Sequence, residues 1–180
     1  MTIETKRLLL RPWKDEDAED LYLYARGPRV GPLAGWPVHT SPADSLQAIR
    51  SVLSQPETYA VVLKETGKPV GSVGILFEIS RIDGMTDREA EIGYWIGVPY
   101  WGQGLIPEAV EALIFRCFRQ LDRCAVWCGC YDGNDKSRRV QEKCGFCFHH
   151  TEYDQPTLLG DRRTEHFSYL TKEQWETARA

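Results

Sequence analysis

Two glycines one residue apart, in the segment Tyr100-Trp101-Gly102-Gln103-Gly104-Leu105-Ile106-Pro107-Glu108-Ala109, lie between a strand-like run ending at Val98 and a helix-like run beginning near Pro107. This order of residue types suits a phosphate. Glycine lets the backbone approach a ligand without an obstructing Cβ, and the N–H groups from Gly102 to Ile106 have no intrahelical partner before the helix begins. Those donors, with the positive end of the helix dipole, favour a pyrophosphate. Pro107 fits a first helical turn, since its ring pre-sets φ and the N–H it lacks would go unused there.

A second group of candidate residues runs from Asn134 to Phe146. Asn134 suits a helix N-cap, and Ser137, Val140 and Cys144 follow at spacings of three and four, which puts them on one helix face. Val140 and Cys144 suit the core, so Ser137 turns inward toward the sheet. Taken alone, this pair reads as a simple cap in which Ser137 bonds back to Asn134. Upstream, Glu89 to Val98 alternates: Ala90, Ile92, Tyr94, Ile96 and Val98 on one face, Glu89, Glu91, Gly93, Trp95 and Gly97 on the other. Glu91 and Trp95 therefore share a face.

The elements that must position these residues follow from periodicity. Leu8-Leu9-Leu10, ended by Pro12 and followed by Asp15-Glu16-Asp17, reads as strand, turn and helix start. The acidic residues there suit a solvated helix N-terminus. Prolines and glycines around Trp36 make residues 27–42 a long irregular loop, and such loops often carry function. Ser41-Pro42-Ala43-Asp44 opens a helix with apolar positions at Leu46, Ile49, Val52 and Leu53. Tyr59 to Lys64 and Pro69 to Phe77 form a hairpin about Glu65-Thr66-Gly67-Lys68. After the glycine loop, Ala109, Val110, Leu113, Ile114 and Cys117 mark a helix, and Cys124 to Cys128 a strand. Strand, helix, strand implies a parallel crossover. With strands near 146–153 and 164–170, the chain is α/β with a mixed sheet.

Composition narrows the class of protein. At 180 residues the chain has the size of one domain, able to bury roughly 70% of its unfolded surface in a single core. No apolar run approaches the ~20 residues of a membrane helix, so no membrane partner is expected. The first residues lack the order of a signal peptide, which makes the cytoplasm the expected location. A net charge of −4 argues against nucleic acid as partner. Six cysteines without an export signal suggest reduced thiols. Cys144-Gly145-Phe146-Cys147 has redox spacing, but Gly145 closes a helix here, whereas a redox pair follows a strand and opens one. A zinc site from Cys128, Cys130, Cys144, Cys147 and His149 lacks the loops that present such ligands.

These segments, in this order, resemble the GCN5-related N-acetyltransferase (GNAT) superfamily, and most closely its ribosomal-protein acetyltransferase branch. Thr5 to Pro12 with the acidic stretch to Asp20 looks like that branch's first strand and helix. Glu89 to Ile96 looks like its fourth strand, Trp101 to Ile106 like its pyrophosphate loop, and Asn134 to Phe146 like the helix that follows. Two positions depart from the superfamily pattern: Trp101 replaces Gln or Arg, and Ile106 replaces the final Gly or Ala.

The resemblance implies a single-domain α/β GNAT fold, with a mixed, mostly antiparallel sheet of six to seven strands splayed between the fourth and fifth. It implies acetyl-CoA as co-substrate, held by Ile96, Gly97 and Val98 along the splayed strand, by Trp101, Gly102, Gln103, Gly104, Leu105 and Ile106 in the loop, and by Asn134, Ser137 and Arg138 in the helix. The pantetheine arm would lie against the strand like an added one. Glu91 is then the candidate base acting through water, and Ser137 the donor to the CoA sulfur, with Asn134 beside it. Lys136 and Arg138 are near enough to reach the CoA 3′-phosphate. Transfer would be direct, in a ternary complex, with no metal and no covalent enzyme intermediate. The acceptor is an amine, on a peptide N-terminus or a small molecule, in a pocket walled by Trp36, Pro37, Val38 and His39 and by residues 80–88. A homodimer is compatible with the resemblance. The rival reading is a catalytically silent CoA-binding sensor or scaffold.

Overall fold

Alternating β-branched and aromatic residues build the strands, and glycine and proline clusters between them set the turns. The computed structural model describes residues 1–179, with β1 (Ile3–Glu4), β2 (Leu8–Arg11), β3 (Thr58–Leu63), β4 (Lys68–Leu76), β5 (Glu89–Ile96), β6 (Ala125–Tyr131), β7 (Cys147–Pro156) and β8 (Arg162–Thr171). The helices are α1 (Ala18–Ala25), α2 (Pro42–Arg50), α3 (Leu105–Arg119), α4 (Asp135–Lys143) and α5 (Lys172–Thr177). One mixed sheet runs in the order β1-β2-β3-β4-β5-β6-β8-β7. Among the described residues, only β5 and β6 pair in parallel, as the crossover through α3 requires.

The fold class is the expected one, with a correction in strand number: there are eight strands rather than six to seven. The addition is β1, two residues paired with Leu9 and Leu10 and too short to show any period. The terminal α5 was also unforeseen; Thr171 caps it, its Oγ accepting the Gln174 N–H at 3.1 Å, and buried Trp175 anchors it. Of the acidic stretch after Pro12, Asp17 is buried rather than solvated, because Arg11 pairs with it at 2.7 Å. Among the described residues, no helix is long and apolar enough to cross a membrane.

Two packed layers follow from the alternation. On one face Leu8, Leu10, Val61, Val73 and Ile92 meet the apolar stripe of α3, where Val110, Leu113 and Ile114 are almost fully buried. Burial of each such side chain contributes roughly 1.5–3 kcal/mol. The other face carries Ala60 and Val62 against Leu21 of α1 and Ile49 of α2. β5 divides as its sequence divides: Ala90 and Ile92 enter the α3 core, flanked by Tyr94 and Ile96, and Trp95 packs on the α1 side.

The splay falls where expected, between β5 and β6. They pair only from Glu89–Ala125 to Glu91–Trp127. Beyond that β5 stays with β4 as far as the Gly71–Ile96 pair, and β6 stays with β8 as far as Tyr131–Glu165. Each strand keeps its outer partner, so a wedge opens between them. In an antiparallel ladder alternate residues bond one neighbour, and the Gly97 N–H donates to the Val70 carbonyl at 2.8 Å. Tyr94 and Ile96 therefore direct their backbone groups into the wedge.

Candidate active site

The glycine loop is shaped by two left-handed residues, Gly102 at φ 75° and Gly104 at φ 73°. An L side chain at either would cost roughly 1–2 kcal/mol. Gly104 is also the N-cap of α3, which begins at Leu105, so Pro107 is its third residue. Arg7, ninety-six positions upstream of Gln103, fixes the loop from beneath. Its guanidinium donates to the carbonyls of Gln103 and Gly104 at 2.8 and 2.9 Å, and it pairs with Glu108 at 2.7 Å. A trans peptide points C=O and N–H in opposite directions. Anchoring those carbonyls on Arg7 aims the Gly104 and Leu105 N–H groups the other way, as an anion requires.

A cavity of about 320 Å³ lies above this loop. Ile96, Trp101, Gly102, Gly104, Leu105, Ile106, Asn134 and Ser137 line it, all foreseen. Four foreseen residues are not on its wall. Gly97 spends its N–H on Val70, and a Cβ there would meet the Tyr24 ring at 2.5 Å. Val98 forms a 3-10 turn, its carbonyl accepting the Trp101 N–H. Gln103 gives its carbonyl to Arg7 and its side-chain amide to the Pro99 carbonyl at 2.9 Å. Arg138 is exposed and pairs with Asp135 at 3.0 Å. Lys136, also named from the sequence, lines the cavity, and Arg139 and Lys143 from α4 and Arg29 from the opposite loop add positive charge.

Trp101 does what neither Gln nor Arg could do alike. Its indole N–H donates to the Ile96 carbonyl at 3.0 Å, which ties the loop to the end of β5. Its ring carries Lys136 Nζ at 4.6 Å and the Arg29 guanidinium at 5.9 Å from the centroid. The two cations are thereby held beside the loop.

A larger cavity of about 780 Å³ adjoins the first. Leu33, Ala34, Tyr94, Trp95, Asn134 and Ser137 line both, so these six residues mark the junction. Asn134 caps α4, its Oδ1 accepting the Ser137 N–H at 3.3 Å. That leaves the Ser137 hydroxyl free of the cap. Its Oγ lies 2.9 Å from the Tyr94 hydroxyl. Burial holds the Tyr94 pKa well above its ordinary value, so it keeps its proton and can donate to Ser137.

The floor of the larger cavity holds Arg81, Glu91 and Glu165. Arg81 grips both Glu91 oxygens at 2.6 and 2.8 Å and reaches one Glu165 oxygen at 3.0 Å. Burial raises the Glu165 pKa above the usual carboxylate range; the Arg81 charge opposes this and the Glu91 charge adds to it. Trp36, Pro37 and His39 form a wall, as the loop reading proposed, and Arg81 comes from the 80–88 segment. Val38 does not line it.

Tyr94, Arg81, Glu165 and Arg7 are the site residues that the sequence did not disclose as such. Tyr94 was placed on the core face of β5, and a hydroxyl among Ala90, Ile92 and Ile96 was the available signal. Glu165 shares strand parity with fully buried Phe167, so an inward carboxylate was readable in β8. Arg7 and Arg81 carried no local signal.

A glycine loop feeding a wedge between two strands, with hydroxyls at the meeting of two cavities, agrees with the sequence profile of the acetyltransferase (GNAT) domain, which matches residues 7–147. The chain belongs to the GNAT acetyltransferase family. It is an acyltransferase enzyme. The uncharacterized N-acetyltransferase p20 of Bacillus licheniformis is 34% identical over 67% of this chain and 68% of its own length. A protein provisionally named a ribosomal-protein-serine acetyltransferase, from Vibrio cholerae, superposes with a TM-score of 0.78 at 26% identity, over 95% of this chain and 97% of that one. The microcin C7 self-immunity acetyltransferase MccE, solved with acetyl-CoA and AMP, shares the fold with a TM-score of 0.75 at 19% identity, over 92% and 93%.

Proposed function

We propose that residues 1–180 act as one cytoplasmic N-acetyltransferase domain that moves an acetyl group from acetyl-CoA directly to a primary amine. The observation that carries this reading is the Tyr94–Ser137 hydroxyl pair at the junction of a phosphate-binding cavity and an acid-floored one. The residues present fit the donor. Free N–H groups at Gly104 and Leu105, two glycines in the left-handed region and the cations Lys136, Arg139 and Lys143 suit pyrophosphate and the 3′-phosphate. Tyr94 and Ile96 offer backbone groups to a pantetheine arm in the wedge.

Acetyl-CoA supplies an acyl thioester. The acceptor amine must lose a proton to attack, and a carboxylate near it can take that proton through water. Glu91 was the first candidate, and it stands in the cavity with both oxygens on Arg81. Glu165 has one oxygen uncommitted and a raised pKa, so we assign it the proton and assign Glu91 the task of holding Arg81. An N–H of the wedge, at Tyr94 or Ile96, suits the carbonyl oxygen as it gains charge. The Tyr94 hydroxyl, with the Ser137 carbonyl at 3.1 Å and Ser137 Oγ at 2.9 Å, holds the serine in place, and the serine hydroxyl is the donor to the departing sulfur. A thiol pKa of about 8.5 makes that task light. The Vibrio cholerae neighbour's name brings a ribosomal protein into view as acceptor, and a peptide N-terminus is the amine it would offer, beside a small amine.

Free thiol release from acetyl-CoA, followed over a panel of amines, tests this reading. Turnover with at least one amine is expected. Ser137→Ala should lower kcat by about 10²-fold with acetyl-CoA binding kept. No turnover with any amine, together with tight acetyl-CoA binding, would instead describe a CoA sensor, and an unchanged kcat in Ser137→Ala would remove the serine from the reaction.

A further inference from the structure

The acceptor cavity is built for a particular kind of amine. Its charged lining consists of Arg81 against Glu91 and Glu165, one carboxylate in excess, all at the floor. Above them stand the edges of Trp36 and Trp95, whose centroids lie 6.0 Å apart. The rim is apolar and exposed: Val52 at 63%, Leu76 at 42% and Leu158 at 80%. No carboxylate lines that rim.

Room for a body comes from missing side chains. Gly74 and Gly93 sit opposite each other on β4 and β5 and both line the cavity. The wall is also preformed. A Cβ on Gly31 would meet the Trp36 ring at 2.5 Å, so the loop closes tightly behind the indole. Across the cavity, the Leu158 N–H donates to the Gly35 carbonyl at 3.0 Å and Arg163 to the Pro32 carbonyl at 2.6 Å. The hairpin between β7 and β8 thus braces the Trp36 loop in place.

We infer that the acceptor is a primary amine on a compact apolar or aromatic body with no second cation. This rests on the acetyl-transfer reading above. The ammonium goes to the floor, where the excess carboxylate neutralises it and then takes its proton. The body fills the space that Gly74 and Gly93 leave open beside the packed indoles, and a volume of about 780 Å³ holds a drug-sized molecule. A polyamine would set its second charge against Val52, Leu76 and Leu158 with no anion to meet it. A peptide crossing Val52, Leu76 and Leu158 would find only hydrocarbon side chains where its backbone N–H and C=O groups need partners.

The test compares 2-phenylethylamine, spermidine and a hexapeptide beginning with serine as acceptors for the full chain, with kcat/KM read from thiol release. The expected result is a preference of about 100-fold for 2-phenylethylamine over either rival. A preference for spermidine or the peptide overturns the inference while leaving acetyl transfer intact. Turnover of none overturns it too, and calorimetry with acetyl-CoA then shows whether the donor reading has fallen as well. Gly93→Ala, whose Cβ would meet only the flexible end of Leu76 at 3.3 Å, should raise the KM for 2-phenylethylamine about tenfold and leave that for acetyl-CoA unchanged. Exposed Leu158→Asp should cost 2-phenylethylamine activity and favour spermidine. Identical acceptor kinetics in both variants would place the body elsewhere.

Discussion

The donor end of the cleft is assembled mainly from two short segments, Trp101 to Pro107 and Asn134 to Lys143, whereas the acceptor end draws side chains from stretches scattered between Leu21 and Glu165. Phosphate is recognised by backbone N–H groups at a helix start, which a few consecutive residues can supply. An amine on an unknown body is recognised by walls and by one placed charge. Such a surface needs several strands and loops brought together, so it varies wherever any of them changes. The difference teaches that one end of the cleft rests on main-chain chemistry and the other on side-chain architecture.

Five substitutions would break or sharpen that contrast. Glu165→Gln at the acceptor end should lower kcat/KM by about 10²- to 10³-fold while acetyl-CoA binding stays within twofold. In the unaltered protein kcat/KM should fall as pH drops through the raised Glu165 pKa, because the base must be ionised, and this variant should lose that acid limb. Glu91→Gln should cost only about tenfold and move the limb to lower pH, since removing the neighbouring negative charge and freeing Arg81 for Glu165 both favour the ionised form. Were Glu91→Gln to lose the limb and Glu165→Gln to keep it, the two carboxylates would exchange roles.

Gly104→Ala acts at the donor end alone. Alanine at φ 73° costs about 1–2 kcal/mol, which an empty loop sheds by relaxing and must regain to bind, so calorimetry should show acetyl-CoA binding weakened by about tenfold, with acceptor KM unchanged. An equal effect on the acceptor would mean that the two ends are coupled. The smallest expected effects separate two cations of α4. Lys136→Ala should weaken acetyl-CoA binding about threefold at low salt, because Lys136 lies over Trp101 on the cavity wall. Arg138→Ala should change it by less than about twofold, as expected for an exposed arginine paired with Asp135.

Legibility in the sequence followed the range of the interaction. The parallel crossover, the Asn134 cap, the α3 stripe and the face shared by Glu91 and Trp95 are consequences of spacing within one element, and each stands in the structure as read. Adjacent helix positions differ by about 100° in direction, so it depends on how α4 docks that Arg139 lines the cavity while Arg138 is exposed beside Asp135. Tyr94 was placed on the right face, but its meeting with Ser137, forty-three positions away, depends on how α4 sits over the wedge.

By itself the sequence determined the α/β class and the glycine loop before α3, because periodicity and glycine placement act through neighbouring residues. Tertiary structure alone decided that Arg7 anchors the loop, that Arg81 joins Glu91 to Glu165, and that Tyr94 meets Ser137. Those contacts join residues far apart in the chain, and their energies exist only once the sheet has brought them within hydrogen-bonding distance.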